Sequence, residues 1–282
     1  MTTLNINENF DRLKPNLALT DSKAGEMVIY KNDSIVSAAI AIFGEYCDAE
    51  VQIMARYLTP ESTYLDIGTN IGYHALAIHK TVGCNIMGFE PHPNHFTVAA
   101  YNCREKPIKL YNTALSSKNG TMIMSDFDEN IISNYGEVGI KEEGIEVPTI
   151  KLDELDDLKD VPVTLMKIDV EGAELDVLKG SIKTIKAHRP TIFYEAIDYE
   201  VWTKCYKWLD SKDYKQYWVT CRTKPVAETY KKSENNPFGM GGVSNILAIP
   251  IENEQPTDLV PVVEDERFSD TITRLTSYKI IF

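Results

Sequence analysis

Short apolar segments alternate with segments of helical spacing through the middle of the chain. The first apolar segment ends in Asp66 and passes into a turn with Gly68 and Gly72, after which apolar residues recur at the three- and four-residue intervals of a helix. A second apolar run at 85–89 also precedes an acid, Glu90. Strands that alternate with helices in this way predict a doubly wound α/β sheet.

The same alternation continues to about residue 250. We expect two helices ahead of the first strand, one long helix over 173–187, and an inserted hairpin within 120–150, where the pattern alternates. The sheet is then a Rossmann-like sheet of seven strands, mostly parallel with the last strand antiparallel and helices on both faces; its later strands are expected at 108–115, 163–169, 191–194, 216–220 and 245–249.

The chain is predicted to form one main domain at residues 33–250. Residues 1–32 are polar and form an N-terminal extension, and residues 251–282 form an acidic C-terminal tail. A glycine-rich loop at 235–242 is expected to border the substrate site.

Composition narrows the classes of partner. Among 282 residues there are 42 acidic and 29 basic side chains, a net charge of −13, which argues against nucleic acid and favours a neutral or cationic substrate. No stretch approaches the roughly 18 apolar residues of a membrane span, so we expect a soluble, cytoplasmic protein. The five cysteines are scattered, which suggests neither a disulfide framework nor a zinc site.

Acidic side chains follow several predicted strands. Asp66, Glu90, Asp169 and Glu195 all stand at the carboxyl ends, where open α/β sheets bind their ligands. A carboxylate after the second strand can accept both hydroxyls of a ribose, which predicts an adenosine-containing cofactor. The loop has only two glycines and an acid before it, which favours the cationic S-adenosylmethionine over a nicotinamide dinucleotide but leaves both open.

A set of motifs in a fixed order resembles one known family, the FkbM family of S-adenosylmethionine-dependent methyltransferases. The resemblance covers about 33–250, and its most distinctive stretch is Lys-Ile-Asp-Val-Glu-Gly at 167–172. Thr69 and Ala75 depart from the residues that the family more often has. The other motifs are Phe-Gly-Glu-Tyr at 43–46, Asp-Ile-Gly-Thr-Asn-Ile-Gly at 66–72, Phe-Glu-Pro at 89–91, Asn-Thr-Ala at 112–114, Asn-Tyr-Gly at 134–136, Arg-Pro at 189–190 with Tyr-Glu at 194–195, and Asn-Ile-Leu-Ala-Ile-Pro at 245–250.

The resemblance implies a class I methyltransferase fold and a set of cofactor-binding residues. Four residues of the first turn would hold the methionine part, Glu90 the ribose, and two residues the adenine ring. Asp126 would reach the adenine amino group, and Glu50 the cofactor's ammonium. The turn residues are Asp66, Gly68, Asn70 and Gly72, and the adenine neighbours are Phe89 and Ala114.

The family acts chiefly on hydroxyls, so the resemblance implies methyl transfer to a hydroxyl oxygen, on a sugar of a glycan or polysaccharide. Asp169, Glu171 and Glu195 are the candidate catalytic residues, either as a proton-accepting cluster or as ligands of a divalent metal. Glu171 has an alternative role as a first-turn acid that stabilises a helix dipole. Alternative functions are methylation of a small secondary metabolite, a nicotinamide-dependent sugar oxidoreductase, and a cofactor-binding module without turnover.

Overall fold

The computed structural model describes residues 15–223, 230–231, 236–238 and 242–263. An antiparallel hairpin opens this part of the chain, with β1 at Leu17–Ser22 and β2 at Gly25–Tyr30. Met27 and Val28 are fully buried in the main apolar core. The core therefore begins ahead of residue 33, where the sequence had placed the start of the domain. Residues 264–282 of the predicted tail, and residues 235 and 239–241 of the loop at 235–242, lie outside the described residues.

Both helices expected ahead of the first sheet strand are present. Helix α1 spans Val36–Phe43 and ends at Gly44, whose left-handed conformation lets its N–H reach the carbonyl of Ile40. Helix α2 spans Asp48–Ala55. It packs against the helix that follows the first strand of the central sheet, so it covers that end of the sheet.

The central sheet has eight strands: β3 Thr63–Ile67, β4 Asn85–Phe89, β5 Ile108–Tyr111, β9 Leu165–Ile168, β10 Thr191–Glu195, β11 Tyr214–Arg222, β12 Gly242–Pro250 and β13 Val260–Pro261. Their order across the sheet is β13-β11-β12-β10-β9-β3-β4-β5. Five neighbouring strands, from β5 to β10, are parallel, and β12 runs antiparallel to both of its neighbours, as predicted. The expected number of seven was wrong because a two-residue edge strand pairs with β11.

The predicted insertion forms a small second sheet. Strands β7 (Gly120–Met124) and β8 (Ile145–Ile150) make the antiparallel hairpin, and β6 (Ala114–Leu115) joins β8 in parallel. The strand expected over 108–115 is therefore two strands in two sheets. This division lets the chain leave the central sheet at the edge where the insertion begins.

Helices cover both faces of the central sheet: α3 Tyr73–Val82, α4 Pro93–Cys103, α5 Glu174–Gly180, α6 Ile182–His188 and α7 Tyr199–Asp210. The single helix expected over 173–187 is two helices that meet at Gly180 and Ser181. A side chain at position 180 would stand 2.0 Å from the carbonyl oxygen of Ser116, so the neighbouring loop passes against the backbone at the break. The apolar period alone could not show this contact.

Apolar side chains fill the space on both faces of the sheet. Within β3, Tyr64 belongs to one buried cluster, and Leu65 and Ile67 belong to the other. A strand buried on both faces places its polar residues at its end, which is where the candidate site lies. No helix in the described parts of the chain combines the length and the apolar character needed to cross a membrane.

Candidate active site

A cavity of about 840 Å³ lies beyond the carboxyl ends of the parallel strands. Its wall joins the turn after β3, the residues after β4, the segment 134–140 of the insertion and the loop after β9. This volume is in the range of pockets that enclose a cofactor or a small ligand.

The turn between β3 and α3 forms one wall of the cavity. Gly68, Asn70 and Gly72 all have positive φ, at 84°, 51° and 91°. A Cβ on Gly68 would lie 1.7 Å from the carbonyl oxygen of Asp169, so only glycine lets the two loops pass each other here. Gly68 and Asn70 line the cavity, whereas Gly72 does not and packs towards Cys103.

Glu90 is fixed at the wall by the backbone. Its Oε2 accepts the N–H of Asn70 at 2.8 Å, and its Oε1 accepts the N–H of His92 at 2.9 Å. Burial raises the pKa of Glu90 to about 8, against the opposite effect of these two donors. Each oxygen has a second lone pair, so the ionised form can still accept two hydroxyl groups from a ligand, and such donors would favour that form.

Phe89 and Ala114 line the cavity beside Glu90. The ring of Phe89 stacks on Tyr111 with centroids 4.9 Å apart and 9° between the planes, which fixes its position.

Asp126 does not line the cavity: it is half exposed, with Oδ1 3.1 Å from Nε2 of His92. The predicted contact of Asp126 with an adenine amino group therefore has no support in the structure, because its carboxylate is paired with His92.

Asp66 lies behind the cavity wall, not on it. It is fully buried, its Oδ1 accepts the hydroxyl of Tyr64 at 3.2 Å, and the same oxygen lies 3.6 Å from Nζ of Lys167. Its Oδ2 is buried and makes no hydrogen bond. The carboxylate faces Tyr64 and Lys167 and does not line the cavity, so a direct contact with the methionine part of a cofactor would need a change in this arrangement.

Lys167 is a functional candidate that the sequence reasoning missed. Its ammonium is buried, lies at the cavity wall and donates to Oδ2 of Asp169 at 3.0 Å and to the carbonyl of Gly68 at 3.4 Å. Burial alone would lower the pKa of Lys167, but the carboxylates of Asp169 and Asp66 outweigh it and raise the pKa. A single lysine within the otherwise apolar β9 was the signal available in the sequence.

The structure brings the three predicted catalytic acids together. Carboxylate oxygens of Asp169, Glu171 and Glu195 lie within 4.8 Å of one another, and all three residues line the cavity. Burial and then the charge of Asp169 raise the pKa of Glu171 to about 8 and that of Glu195 to about 10. The cluster therefore holds protons near neutral pH.

Helix stabilisation does not explain Glu171. It precedes α5, has a positive φ of 51° and lines the cavity. Glu174 is the residue that serves the helix start, because its Oε1 accepts the N–H groups of Val170 and Gly172 at 3.3 and 3.2 Å. The two glutamates thus have different roles despite their similar position in the sequence.

Glu50 reaches the cavity from α2. Its Oε1 accepts the side-chain amide of Asn245 at 2.8 Å, and its Oε2 lies 3.5 Å from Nε2 of His74. Potential ligand atoms of Glu50, Cys47 and Cys221 lie within 4.8 Å of one another, a buried grouping that scattered cysteines in the sequence did not predict. Asn245, within the apolar β12, joins this strand to α2.

Comparison with known proteins identifies one family. A family model for the methyltransferase FkbM domain matches residues 66–216. The hexuronic acid methyltransferase AglP of Haloferax volcanii is 30% identical over 141 residues, which cover 49% of this chain and 57% of that protein, so less than two thirds of that relative is matched.

Two solved structures show weaker similarity. The methyltransferase FkbM from Methylobacillus flagellatus KT has a TM-score of 0.46 at 16% identity, covering 67% of this chain and 44% of the other. The tRNA (uracil-54, C5)-methyltransferase of Pyrococcus abyssi, solved with S-adenosyl-L-homocysteine, has a TM-score of 0.44 at 12% identity, covering 83% and 44%.

Proposed function

This chain belongs to the FkbM methyltransferase family, and we propose that it transfers a methyl group from S-adenosylmethionine to a hydroxyl oxygen of a sugar in a glycan. The observation that carries the proposal is the continuity of one cavity. Its wall runs from the glycine turn and Glu90 to the acidic cluster at Asp169, so a cofactor and an acceptor can meet inside it.

The residues present fit S-adenosylmethionine. The fixed carboxylate of Glu90 suits the two ribose hydroxyls, and Phe89 and Ala114 offer an apolar surface for the adenine. Gly68 and Asn70 line the neighbouring turn, and Glu50 places a buried carboxylate on the wall for the ammonium group. When bound, the cofactor supplies an electrophilic methyl group.

The acidic cluster supplies what a hydroxyl acceptor needs. An alcohol must lose its proton as the new carbon–oxygen bond forms, and a base works best when its pKa is close to the working pH. Burial and the neighbouring Asp169 raise the pKa of Glu171 to about 8, which meets this condition. Lys167 fixes Asp169 through a charge-assisted hydrogen bond, so the cluster keeps one geometry.

A sugar acceptor is supported by the relative and by the cavity mouth. AglP, which is 30% identical over 141 residues, is a hexuronic acid methyltransferase. Ile140 and Ile197 line the cavity while remaining 49% and 63% exposed, and they offer apolar surface to the C–H face of a sugar ring beside the carboxylates.

The test combines binding with turnover. Calorimetry with S-adenosyl-L-homocysteine and with NAD should show binding of the former only; tighter binding of NAD would refute the methyl-donor site. Transfer of labelled methyl from S-adenosylmethionine to a panel of sugars and glycans then identifies the acceptor. Label found only on a non-sugar metabolite would refute the glycan assignment.

The three carboxylates also have the spacing of oxygen ligands around a divalent cation. A bound cation would acidify the acceptor hydroxyl in place of a protein base. We expect activity to survive exhaustive chelation because the raised pKa of Glu171 already provides a base. Loss of activity with EDTA, restored by Mg²⁺ or Mn²⁺, would favour the metal.

A further inference from the structure

We infer, resting on the proposed function, that the acceptor is a neutral or amine-bearing sugar and that this cavity discriminates against uronic acids. The acceptor class would then differ from the one named for the hexuronic acid methyltransferase of Haloferax volcanii. The inference rests on the charges that face the acceptor side of the cavity and on the segment that supplies one of them.

The ionisable groups on the described cavity wall are mostly acids. Of the described residues that line it, six are acids, Lys167 is the one lysine, and none is an arginine. A protein that binds a carboxylate normally supplies an arginine or an unpaired lysine for it. The described wall has no group of this kind for the carboxylate of a uronic acid.

Lys167 cannot pair with the carboxylate of an acceptor because its ammonium is already paired with two carboxylates of the protein. Nζ lies 3.0 Å from a carboxylate oxygen of Asp169 and 3.6 Å from one of Asp66, and it is buried at the base of the cavity. Among the histidines, His74 lies against Glu50, and burial lowers the pKa of His95 well below its usual value, so His95 is neutral. Neither offers a free positive charge.

The insertion adds a fourth acid to the acceptor side. Segment 134–140 spans the cavity from the cofactor turn to the catalytic loop: position 136 approaches Asn70, and a Cβ at Gly139 would stand 2.9 Å from the carbonyl oxygen of Glu171. Glu137 lies between these two contacts and lines the cavity, and its Oε1 accepts a hydrogen bond from the side-chain amide of Asn134 at 2.9 Å. Its charge contributes to the raised pKa of Glu171.

A carboxylate on the acceptor would approach the negative charges of Asp169 and Glu137, and the carboxyl groups of Glu171 and Glu195 offer it no positive partner. Like charges repel, and more strongly where burial lowers the effective dielectric constant. A neutral sugar avoids this repulsion, and a protonated amine is attracted. The expected order of kcat/KM is therefore amino sugar, then neutral sugar, then uronic acid, with a difference of about tenfold or more between the last two.

The experiment uses the full chain and three matched glycosides of one hexose, carrying a hydroxymethyl group, an amine or a carboxylate. Transfer of labelled methyl is measured for each, in EDTA and again with Mg²⁺. Preference for the neutral or amino form in both conditions supports the inference. Preference for the uronide in either condition overturns it while leaving the methyltransferase assignment intact; no transfer to any sugar, despite binding of S-adenosyl-L-homocysteine, overturns the sugar acceptor and the inference together.

Charge reversal at the mouth tests the electrostatic cause. Glu137→Lys should raise the ratio of kcat/KM for uronide over neutral sugar by about tenfold, and Glu137→Gln by less. Glu142→Lys is the matched control, since this residue is exposed on the same insertion and lies outside the cavity wall. Thermal unfolding verifies that each variant is folded. An unchanged ratio in Glu137→Lys, or an equal change in the control, would overturn the assignment of Glu137.

Discussion

At the scale of the residue, Lys167 determines how negative charge is arranged in the cavity. Its buried ammonium lies between Asp66, behind the wall, and Asp169, on the wall. Asp66 lies in β3 and Asp169 directly follows β9, and Lys167 lies within β9 among apolar residues. The ammonium of Lys167 thus serves both the buried ion pair with Asp66 and the candidate catalytic cluster at Asp169.

Asp169→Asn separates turnover from cofactor binding. The amide keeps the shape of the side chain but removes the charge from the cluster, so we expect kcat to fall by about 100-fold or more. Affinity for S-adenosyl-L-homocysteine should change little, because the turn and Glu90 are untouched. Asp210→Asn, at the exposed end of α7, is the control. Unchanged turnover in Asp169→Asn would remove this residue from the chemistry.

Lys167→Met should be strongly destabilising. Removing one partner of a buried ion pair leaves Asp66 buried with an uncompensated charge, at a cost of about 3–5 kcal/mol. In the double variant Asp66→Asn, Lys167→Met no charge remains behind the wall, so part of the loss, at least ~1 kcal/mol, should return. Denaturant unfolding of the two single variants and the double variant measures this. Strictly additive losses would show that the pair is not coupled.

At the scale of the element, the close approach of two loops assembles the site. The turn after β3 and the loop after β9 meet at Gly68, whose N–H donates to the carbonyl of Phe89 at 2.9 Å. Helix α2 is joined to β12 through Glu50 and Asn245. These contacts bring parts of the chain that are far apart in sequence to one end of the sheet.

Comparing Gly68→Ala with Gly83→Ala separates the effect of the contact between the two loops from the effect of a left-handed backbone conformation. Both glycines have a left-handed φ, at 84° and 78°, so each substitution carries a conformational cost of about 1–2 kcal/mol. Only at Gly68 would the new methyl group overlap a backbone oxygen; at Gly83 the nearest atom is 4.0 Å away. We expect Gly68→Ala to cost at least twice as much in the free energy of unfolding and to abolish binding of S-adenosyl-L-homocysteine. Equal costs would contradict the observed contact.

At the scale of the whole molecule, one end of the sheet gathers acids that the fold keeps protonated. Burial raises the pKa of Glu90 and of Glu171 to about 8 and that of Glu195 to about 10. The net charge of −13 adds to the general repulsion. The free energy of unfolding therefore depends on pH in the range where these carboxyl groups lose their protons.

Stability should fall as pH rises from 7 to 8.5. A carboxyl group with a raised folded pKa binds its proton in the native state but not in the unfolded state, where the pKa is near 4.5, so the slope of the unfolding free energy with pH is negative up to the folded pKa. Glu195→Gln should make the fall in Tm shallower, whereas Glu200→Gln, a substitution of an exposed residue, should leave it as in the natural chain. Equal slopes for Glu195→Gln and the natural chain would contradict the raised pKa.

Most of the fold could be predicted because its signals are local. Apolar runs, helical spacing and turn glycines lie within a few residues of one another, and they identified the parallel strands, the insertion and the two helices before the sheet. The predictions were wrong where a segment distant in sequence contacts the element concerned. The predicted helix is divided at Gly180, where the backbone lies against the loop at Ser116, and β13 adds to the sheet because its two residues pair with β11.

The sequence by itself determined the class of fold, the family and the acids that end the strands, because each of these depends on short motifs in a fixed order. The tertiary structure alone decided which acids share the cavity. In the structure, Asp169, Glu171 and Glu195 lie together on the cavity wall, whereas Asp66 lies behind the wall and Asp126 outside it. Lys167 and Asn245 also line the cavity, which the sequence analysis did not predict. The physical reason is that burial, pairing and pKa depend on distances between groups remote in sequence, and only packing sets those distances.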